Sequence, residues 1–457
     1  MKELTKKVEQ LEYEFTDKQV SPWGGLRLIS ALFARLGLEE ELRELPLPQP
    51  GSNRGYEGIE IIKTFMVSIL IGANRYSHCA LLEYDEVVKE IFRIEKVPSQ
   101  STFSRYFRKF SCKLNNEIFP KLSKWVMEKF GEIKVTIDLD STVIERYGKQ
   151  EGSKRGYNPK KPGRPSQHPF VAFIPELKLA VNGWLRPGDT RASNNFMNFM
   201  EETIDIAGQR NIGLVRADSG FFSEKCLEYL ESKGLNYIIS AKLYKPLKEL
   251  LISQLKWIPI EEGIEVSEIK YRLNSWKTER RFVVVRKDVK IYPESTGVEI
   301  MPLFPEISNG RVYRYNILVT NTDLPPYTVW EIYRKRSDSE NRIKELKYDF
   351  AITGFSSKEF YATEAAFRFA LFVYNIMALF RLIALKDKRV RRMTTIYFQC
   401  IALGGWLVRK GGKVILKLSV KPERRAWIKG LFENIDNFSP PLDISIMHNS
   451  GLKFVLL

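Results

Sequence analysis

The stretch from residue 133 to residue 242 constrains the fold most, because its hydrophobic period changes repeatedly between that of a strand and that of a helix. In IKVTIDLD, apolar residues alternate with polar ones, as in a half-buried strand. NNFMNFMEETIDIAG and SEKCLEYLESKG have the spacing of helices that end at glycine. With PFVAFIPE, LKLAVNGWL, IGLVRAD and LNYIISAK as further strands, the order is β-β-β-α-β-α-β. This order predicts an α/β fold.

The segments on either side of this stretch predict further regions. We expect a helical N-terminal region (residues 1–125), a core in two pieces (residues 126–244 and 326–385), a β-rich insertion subdomain between those pieces (residues 245–325), and a basic C-terminal helical region (residues 386–457).

One long helix is expected to follow the insertion. Pro325 and Pro326 end the insertion, and Thr328 with Glu331 has the spacing of a capping box that begins a helix reaching Lys347. The later apolar run 369–380 is about half the length needed to cross a bilayer, and an arginine lies on each side of it. It therefore predicts a buried core helix and no membrane partner.

Charge indicates the class of partner. The chain has 72 Lys and Arg against 55 Asp and Glu, a formal net charge of +17. Such an excess favours a polyanion, since neutralised phosphates release counterions; nucleic acid is the first candidate and an anionic membrane the second. Four scattered cysteines and three histidines argue against disulfides and zinc, so we expect a cytoplasmic protein. The absence of a GxxxxGK[ST] loop argues against a nucleotide cofactor.

Two carboxylates end predicted strands. Asp140 closes the first strand and Asp218 the fourth, and small turn residues follow each one. Functional groups of open sheets collect outside the carboxyl ends of the strands, where two carboxylates could hold a divalent metal ion. Each aspartate could equally begin a turn or cap the next segment. Hard oxygen ligands of this kind suit Mg²⁺, with Mn²⁺ as a substitute.

The helix expected before Lys347 carries a mixed polar face. Tyr333, Arg336, Glu340 and Lys347 would project within roughly 60° of one another on a continuous helix. One acidic side chain among Tyr, Arg and Lys suits a site that ligates metal and holds phosphate oxygens. A surface helix with ordinary ion pairs is the alternative.

Basic segments provide candidate DNA contacts. Residues 97–110 have the capping signals and basic positions of a recognition helix, with Arg105 and Arg108 as its contacts, which predicts that the helical N-terminal region is DNA-binding. An amphipathic helix with a solvated face fits these residues equally well. Residues 146–164 form a basic, glycine- and proline-containing loop that could contact phosphates. Its candidate contacts are Lys154, Arg155, Lys160, Lys161 and Arg164. The run KDKRVRR from residue 386 could contact DNA or cap the preceding apolar helix.

The spacing Tyr-x2-Arg-x3-Glu-x6-Lys resembles the YREK signature of bacterial cut-and-paste insertion-sequence transposases. The segments TIDLDSTV, GYNPKKPGRPSQHPF, VRADSGFFS and WLVRKGGKVILKL resemble the branch known as transposase DDE domain group one, the insertion-sequence family thirteen-eighty branch. The likeness covers about residues 100 to 420.

This resemblance implies an RNase H-like mixed sheet with flanking helices, in which Asp140, Asp218 and Glu340 bind two Mg²⁺ ions. Asp138 is the fallback for the first position, since it lies on the same strand face. Some relatives use a tryptophan of the insertion to stack a flipped base, a part that Trp276 or Trp257 could play unless it is a core residue. The resemblance also implies a homodimer on double-stranded DNA, acting at terminal inverted repeats and target DNA in the bacterial nucleoid.

The implied reaction is cleavage at the element's ends followed by strand transfer, and a hairpin intermediate is known only from relatives. Two alternatives remain open on the sequence alone. One is a catalytically inactive or domesticated sequence-specific DNA-binding protein that retains the basic surfaces. The other is a metal-dependent nuclease that cuts without strand transfer.

Overall fold

The computed structural model describes residues 13–51, 55–242, 256–288, 313–386 and 392–442. Its strands are β1 (Val20–Ser21), β2 (Val135–Ser141), β3 (Ile144–Glu145), β4 (Ser166–Gln167), β5 (Phe170–Ile174), β6 (Leu179–Trp184), β7 (Ile212–Ala217), β8 (Tyr237–Ser240), β9 (Ile258–Glu261), β10 (Ile264–Tyr271), β11 (Arg280–Asp288), β12 (Tyr313–Thr320), β13 (Gly405–Lys410) and β14 (Lys413–Leu418).

Its helices are α1 (Leu26–Leu36), α2 (Leu38–Glu44), α3 (Gly58–Leu70), α4 (Tyr76–Ala80), α5 (Glu86–Phe92), α6 (Gln100–Phe107), α7 (Cys112–Met127), α8 (Phe196–Ala207), α9 (Glu224–Ser232), α10 (Pro326–Arg334), α11 (Ser337–Tyr348), α12 (Phe360–Phe380), α13 (Met393–Ile396) and α14 (Pro422–Asp436). Short 3₁₀ turns cover Leu81–Tyr84, Gln209–Asn211 and Ser219–Phe221, and π-helical turns cover Arg381–Leu385 and Tyr397–Ile401.

A nine-stranded mixed sheet in the order β6-β5-β2-β7-β8-β12-β11-β10-β9 organises the chain. The pairs β5–β6 and β2–β5 are antiparallel, whereas β2–β7 and β7–β8 are parallel. Helix α8 connects β6 to β7, and α9 connects β7 to β8. The predicted order β-β-β-α-β-α-β and the α/β fold class are therefore confirmed, because the changes of hydrophobic period mark each segment correctly.

The predicted insertion is not a separate subdomain in the described residues. Strand β12 pairs with β8 through Leu318 and Ser240, and β11, β10 and β9 continue outward from β12 by antiparallel pairing. The insertion therefore extends the core sheet. A short strand such as β8 would otherwise leave an open row of hydrogen-bonding groups, and β12 covers that edge. Residues 245–255 and 289–312 of the predicted insertion lie outside the described residues.

The two faces of the sheet are covered differently. A large core packs on one face, whereas a smaller cluster packs under α10 on the other, with Val329 and Trp330 against β-strand residues such as Ile238 and Val283. By length and composition, the segment Phe360–Leu385, which contains α12, could cross a membrane, but 94% of its most apolar window is buried inside the fold. The predicted buried core helix is therefore confirmed.

Helix α12 is fixed to the edge strand β6 by hydrogen bonds. The Asn375 side chain accepts a hydrogen bond from the Ala180 N–H (2.9 Å) and donates one to the Ala180 carbonyl (2.8 Å). A buried backbone group without a hydrogen-bond partner is costly, so the Asn375 amide stabilises the buried edge of β6 by pairing with both backbone groups of Ala180.

The N-terminal region is mainly helical, as predicted, and α3, α6 and α7 pack on α12 through aromatic contacts such as Phe107 with Phe369. The predicted C-terminal helical region is only partly helical. Strands β13 and β14 form a hairpin that pairs with β1, because the alternation in WLVRKGGKVILKL is that of a strand pair joined by two glycines. Residues 387–391 of the basic run lie outside the described residues.

Candidate active site

The carboxyl ends of two neighbouring parallel strands bring together two of the predicted carboxylates. Leu139 of β2 is in register with Ala217 of β7, so Asp140 and Asp218 follow at the same level of the sheet. Asp140 is 7% exposed. Asp218 also caps the turn that follows it, since its Oδ1 accepts a hydrogen bond from the Gly220 N–H (2.8 Å). The turn-forming and site-forming interpretations of Asp218 are thus compatible.

The electrostatics of this pair favour a cation. Burial raises the pKa of Asp140 to about 6; the positive charge of Arg336 opposes the rise, and the negative charge of Asp218 adds to it. A divalent cation placed between the two carboxylates would relieve their repulsion, and carboxylate oxygens are ligands that Mg²⁺ accepts. Asp140 and Asp218 therefore fit a hard divalent ion as two ligands.

Asp138, the alternative first carboxylate, is held in a different way. It is fully buried, and its two carboxylate oxygens accept hydrogen bonds from Nε and Nη2 of Arg216 on β7, at 2.6 and 2.7 Å. Arg216 also donates to the Ile332 carbonyl of α10. A bidentate pair of this kind satisfies both charges and leaves the Asp138 carboxylate committed to the sheet.

The long helix expected after the insertion is divided in two. Helix α10 begins at Pro326, without a side-chain cap, so Thr328 and Glu331 lie inside it and the predicted capping box is wrong. The helix ends at Arg334, and tight turns at Arg336 lead into α11. The two linking residues keep right-handed helical backbone angles, with φ −65° and ψ −15° at Lys335 and φ −63° and ψ −22° at Arg336.

Three residues of the predicted polar face are bound to the sheet near Asp140 and Asp218. The Tyr333 hydroxyl donates to the Ala217 carbonyl (3.4 Å), Arg336 Nη2 to Leu139 (2.9 Å) and Lys347 Nζ to Val143 (3.1 Å). Arg336 Nη2 also lies 3.4 Å from the Asp140 carboxylate. These contacts attach α10 and α11 to the ends of β2 and β7.

Glu340 is the predicted carboxylate that the structure does not bring into contact with the other two. It is exposed on the first turn of α11 and makes no hydrogen bond or ion pair with a described residue. Within the described ranges, no group of three or more His, Cys, Asp or Glu side chains is arranged to hold a metal ion. On α11 it is Ser339 that faces Asp140, and Glu340, the next residue, lies about 100° further around the helix, on the exposed side.

Ser339 is a site residue that the sequence did not reveal. Its buried hydroxyl lies 3.3 Å from Asp140 Oδ2 and donates to the Arg336 carbonyl at 2.8 Å. Ser339 thus connects the carboxylate of β2 to the start of α11, one residue before Glu340. A serine on a polar helix carries no local signal of such a contact, because the contact depends on the tertiary position of the helix.

The basic loop 146–164 lies beside this site. Lys347 shows the proximity, since burial lowers its pKa and the positive charge of Lys160 lowers it further. Arg146 is buried and donates to Gln167 and to the Thr353 carbonyl, so it has a structural role. The remaining predicted contacts are exposed, namely Lys154, Arg155, Lys160, Lys161 and Arg164.

Two of these cations already have carboxylate partners. Lys154 pairs with Asp189 (3.0 Å) and Lys161 with Glu145 (2.9 Å), and all four side chains are at least partly exposed. Exposed pairs of this kind are weak and can exchange partners.

The predicted recognition helix corresponds to α6. Its N-cap is Ser99, whose side chain accepts a hydrogen bond from the Thr102 N–H, as the capping signals indicated. Arg105 is exposed, and Arg108 is paired with Glu359 at 3.2 Å. The opposite side of α6, including Phe107, packs into the core. An exposed basic face on a packed helix is compatible with both interpretations of this segment.

Trp276 is not available to stack on a base in this structure. It is 8% exposed and packs against Phe222 and Phe282, with the Arg280 guanidinium 4.9 Å from its ring centroid. The alternative that it is a core residue is therefore the one observed. Trp257 is partly buried, and the guanidinium of Arg286 lies over its ring at 4.2 Å.

The chain is similar to a known protein family and to a solved structure. The family model described as transposase DDE domain group 1 matches residues 4–440. The cryo-EM structure of the piggyBac transposase synaptic complex with hairpin DNA is similar at 12% identity and a TM-score of 0.41, covering 93% of this chain and 82% of that one. A comparison with curated protein sequences finds no significant match.

Proposed function

The chain belongs to the transposase DDE domain group 1 family, and from this membership and the carboxylate geometry we propose that it catalyses cut-and-paste DNA transposition by phosphodiester hydrolysis and strand transfer at the ends of an insertion sequence. The family implies a DNA-cleaving enzyme. The observation that carries the finer proposal is the pair Asp140 and Asp218, side by side at the carboxyl ends of parallel strands β2 and β7.

We further propose that the core is RNase H-like. The order β6-β5-β2-β7-β8 supports this, since the first three strands of the core in chain order pair antiparallel and the next two are parallel. In such a sheet the first and fourth core strands are neighbours, which is why residues 78 positions apart in the chain can act together. The catalytic region then consists of residues 126–244 and 326–385.

In the proposed site, Asp140, Asp218 and Glu340 hold divalent metal, Mg²⁺ or Mn²⁺ as the substitute. Bound metal would stabilise the charge that develops on the attacking and leaving oxygens of the phosphodiester. Glu340 follows Ser339, whose hydroxyl contacts Asp140, so the third carboxylate lies next to the pair along the chain. Its exposure leaves it free of any competing described partner. We propose that Glu340 completes the site when DNA and metal are bound.

The chain's own cations would position the DNA. Arg336 leaves its Nε without a hydrogen-bond partner among the described residues, and Lys347 is close enough to Asp140 and to Lys160 for the charges of both to act on it. The exposed cations of the loop 146–164 extend this positive surface outward from the carboxylates. Positioned cations orient the backbone and hold the scissile phosphate in line with its nucleophile.

The proposed reaction has two kinds of step. Water attacks the phosphorus at the end of the element, the 3′-oxygen leaves and takes up a proton, and a free 3′-hydroxyl results. That hydroxyl then attacks a second phosphodiester, so that one P–O bond forms as another breaks. A hairpin intermediate and a dimer that pairs the two ends, including a part for the α6 residues Arg105 and Arg108 in end binding, belong to this proposal by family resemblance.

The test is Mg²⁺-dependent cleavage of DNA that carries the inverted repeats of the source locus, with wild type compared with Glu340→Gln. Glu340 is exposed, so this substitution should leave stability within about 0.5 kcal/mol. Cleavage by wild type with at least a hundredfold loss in the variant is expected, on the order of 3 kcal/mol or more.

The alternatives predict different results in the same assay. Binding without cleavage in Mg²⁺ or Mn²⁺ would favour an inactive DNA-binding protein, which the exposed position of Glu340 makes a specific second candidate. Cleavage without joined products in the presence of target DNA would favour a nuclease that lacks strand transfer.

A further inference from the structure

The hairpin of β13 and β14 lies outside the candidate active site and projects from the fold. Its two-residue turn consists of Gly411 and Gly412, at φ values of 57° and 69°, and Lys410 is in register with Lys413 across it. No heavy atom stands within 4 Å of the place of a Cβ at either glycine, so the tip is open to solvent. β13 joins the N-terminal region through its pairing with β1 at Val20–Ser21.

The two faces of this hairpin differ in their surroundings. Leu407 and Leu416 share one face and line a groove closed by α1 and α5. That groove also contains Glu39, Glu40 and Glu90 together with two arginines, so it has no excess of positive charge. The groove face therefore does not suit a polyanion.

The opposite face is basic and faces outward. Side chains alternate along a strand, so Lys410, Lys413 and Lys417 share this face with Trp406 and Ile415. All three lysines are exposed, Ile415 is 38% exposed, and none of the lysines has an ion-pair partner in the described part of the chain. Residues 405–418 contain no acidic residue.

A second observation adds to this charge. Lys18 lies over the ring of Trp406 with its Nζ 4.2 Å from the ring centroid, so a fourth cation joins the outward face. Like charges directly opposite each other on two strands destabilise the pair, and Lys410 and Lys413 are directly opposite. This arrangement does not contribute to stability, but a bound anion would turn the repulsion into a favourable interaction.

We propose that this outward face of the hairpin, referred to below as the basic ribbon, binds duplex DNA by entering a groove and contacting backbone phosphates through Lys410, Lys413 and Lys417. A two-stranded β ribbon fits the major groove, and lysines act as point charges toward phosphate. The site deepens the proposed function, on which it rests, by assigning a DNA contact that is attached to the N-terminal helices instead of to the catalytic sheet.

The test measures binding of the full chain to a fluorescein-labelled mixed-sequence duplex by fluorescence anisotropy in the presence of EDTA. The titration is repeated at KCl concentrations from about 50 to about 200 mM, which gives the salt dependence of the affinity. The variant is Lys410→Gln with Lys413→Gln and Lys417→Gln. A matched control, Lys121→Gln with Lys225→Gln and Lys277→Gln, removes the same charge from three exposed positions elsewhere.

In the ribbon variant, the slope of the logarithm of affinity against the logarithm of salt should become shallower by about 2 to 3, with roughly tenfold weaker binding at low salt. The control should keep the wild-type slope. Neither variant should be less stable than wild type by more than about 0.5 kcal/mol, since every substituted side chain is exposed, and the ribbon variant should gain slightly from relief of the repulsion between Lys410 and Lys413.

Equal slopes for the two triple variants would overturn the basic ribbon and leave the proposed function intact if wild type still cleaves DNA. If the ribbon variant lost binding to phosphatidylserine vesicles while its DNA binding stayed at the wild-type level, the basic ribbon would also be overturned, in favour of a membrane contact. A wild type that neither binds nor cleaves any duplex would reject the proposed function together with the ribbon.

Discussion

Asp138 and Asp140 lie two residues apart on one face of β2, but their surroundings differ. Asp138 meets Arg216 of β7 in a bidentate pair and is fully buried, so its charge is neutralised within the sheet. Asp140 meets the negative charge of Asp218 at the level where β7 ends, and Arg336 opposes that repulsion from 3.4 Å. The residue supplied by the neighbouring strand decides whether a buried carboxylate stabilises the fold or remains available to a cation.

The largest effect should come from Asp140→Asn. Loss of one ligand carboxylate should reduce DNA cleavage by on the order of a thousandfold, about 4 kcal/mol in the barrier. Stability should fall by no more than about 1 kcal/mol, because burial already disfavours the charged form of Asp140 and raises its pKa to about 6, and Arg336 keeps its hydrogen bond to the Leu139 carbonyl. Cleavage assays and urea unfolding measure the two quantities. Asp205→Asn, at an exposed position paired with Lys124, is the control, and wild-type cleavage by Asp140→Asn would contradict the comparison.

Asp138→Asn should have the opposite signature. It leaves the buried guanidinium of Arg216 without a carboxylate, which should cost about 3 kcal/mol of unfolding free energy. Urea unfolding gives the value. Asp138→Leu combined with Arg216→Met should recover most of the loss, because an apolar pair needs no compensating charge. A stable but inactive Asp138→Asn protein would instead identify Asp138 as the catalytic carboxylate.

A smaller effect is expected for Ser339→Ala. The hydroxyl contacts both Asp140 and the Arg336 carbonyl, so its loss should cost about 1 kcal/mol of stability and lower the cleavage rate several-fold. Ser339→Thr should retain most of the stability and most of the cleavage rate. Ser337→Ala, at an exposed position two residues earlier on the same helix, should be neutral, and equal losses for the two alanine variants would remove Ser339 from the site.

The smallest effect should follow Lys160→Gln, which tests how far the positive surroundings of Asp140 extend. Loss of one phosphate contact should weaken duplex binding a few-fold and reduce the salt slope by about 1. Anisotropy titrations against salt measure this change. Lys113→Gln, an exposed lysine on α7, is the matched control, and an equal change in both variants would exclude a specific role for Lys160.

Local patterns were sufficient to predict the element order of the core and the position of two carboxylates. The alternation in β2 and the glycine that ends α8 are properties of a few adjacent residues, and Asp140 and Asp218 stand at strand ends that such patterns define. The buried helix α12 could be predicted for the same reason, since its apolar run is continuous along the chain.

Features that depend on distant contacts could not be predicted. The division between α10 and α11 accompanies the contacts of Arg336 with Leu139 and Asp140, which lie almost 200 residues earlier in the chain. The pairing of β12 with β8 likewise depends on an open sheet edge that no local pattern reveals. Glu340 was predicted from the polar face of its helix and from the family resemblance, and Trp276 from the resemblance; the structure leaves the first exposed and the second in the core.

The pairing of β12 with β8 also has a consequence for synthesis of the chain. β8 ends at Ser240, and β12, its second neighbour in the sheet, begins at Tyr313. About 70 residues must therefore leave the ribosome before the open edge of β8 is paired. At typical elongation rates this interval lasts roughly 4 to 15 s, during which an open strand edge can pair with another nascent chain. Expression yield should therefore depend on the elongation rate between these two strands, even for synonymous codon changes, which leave the finished protein unchanged.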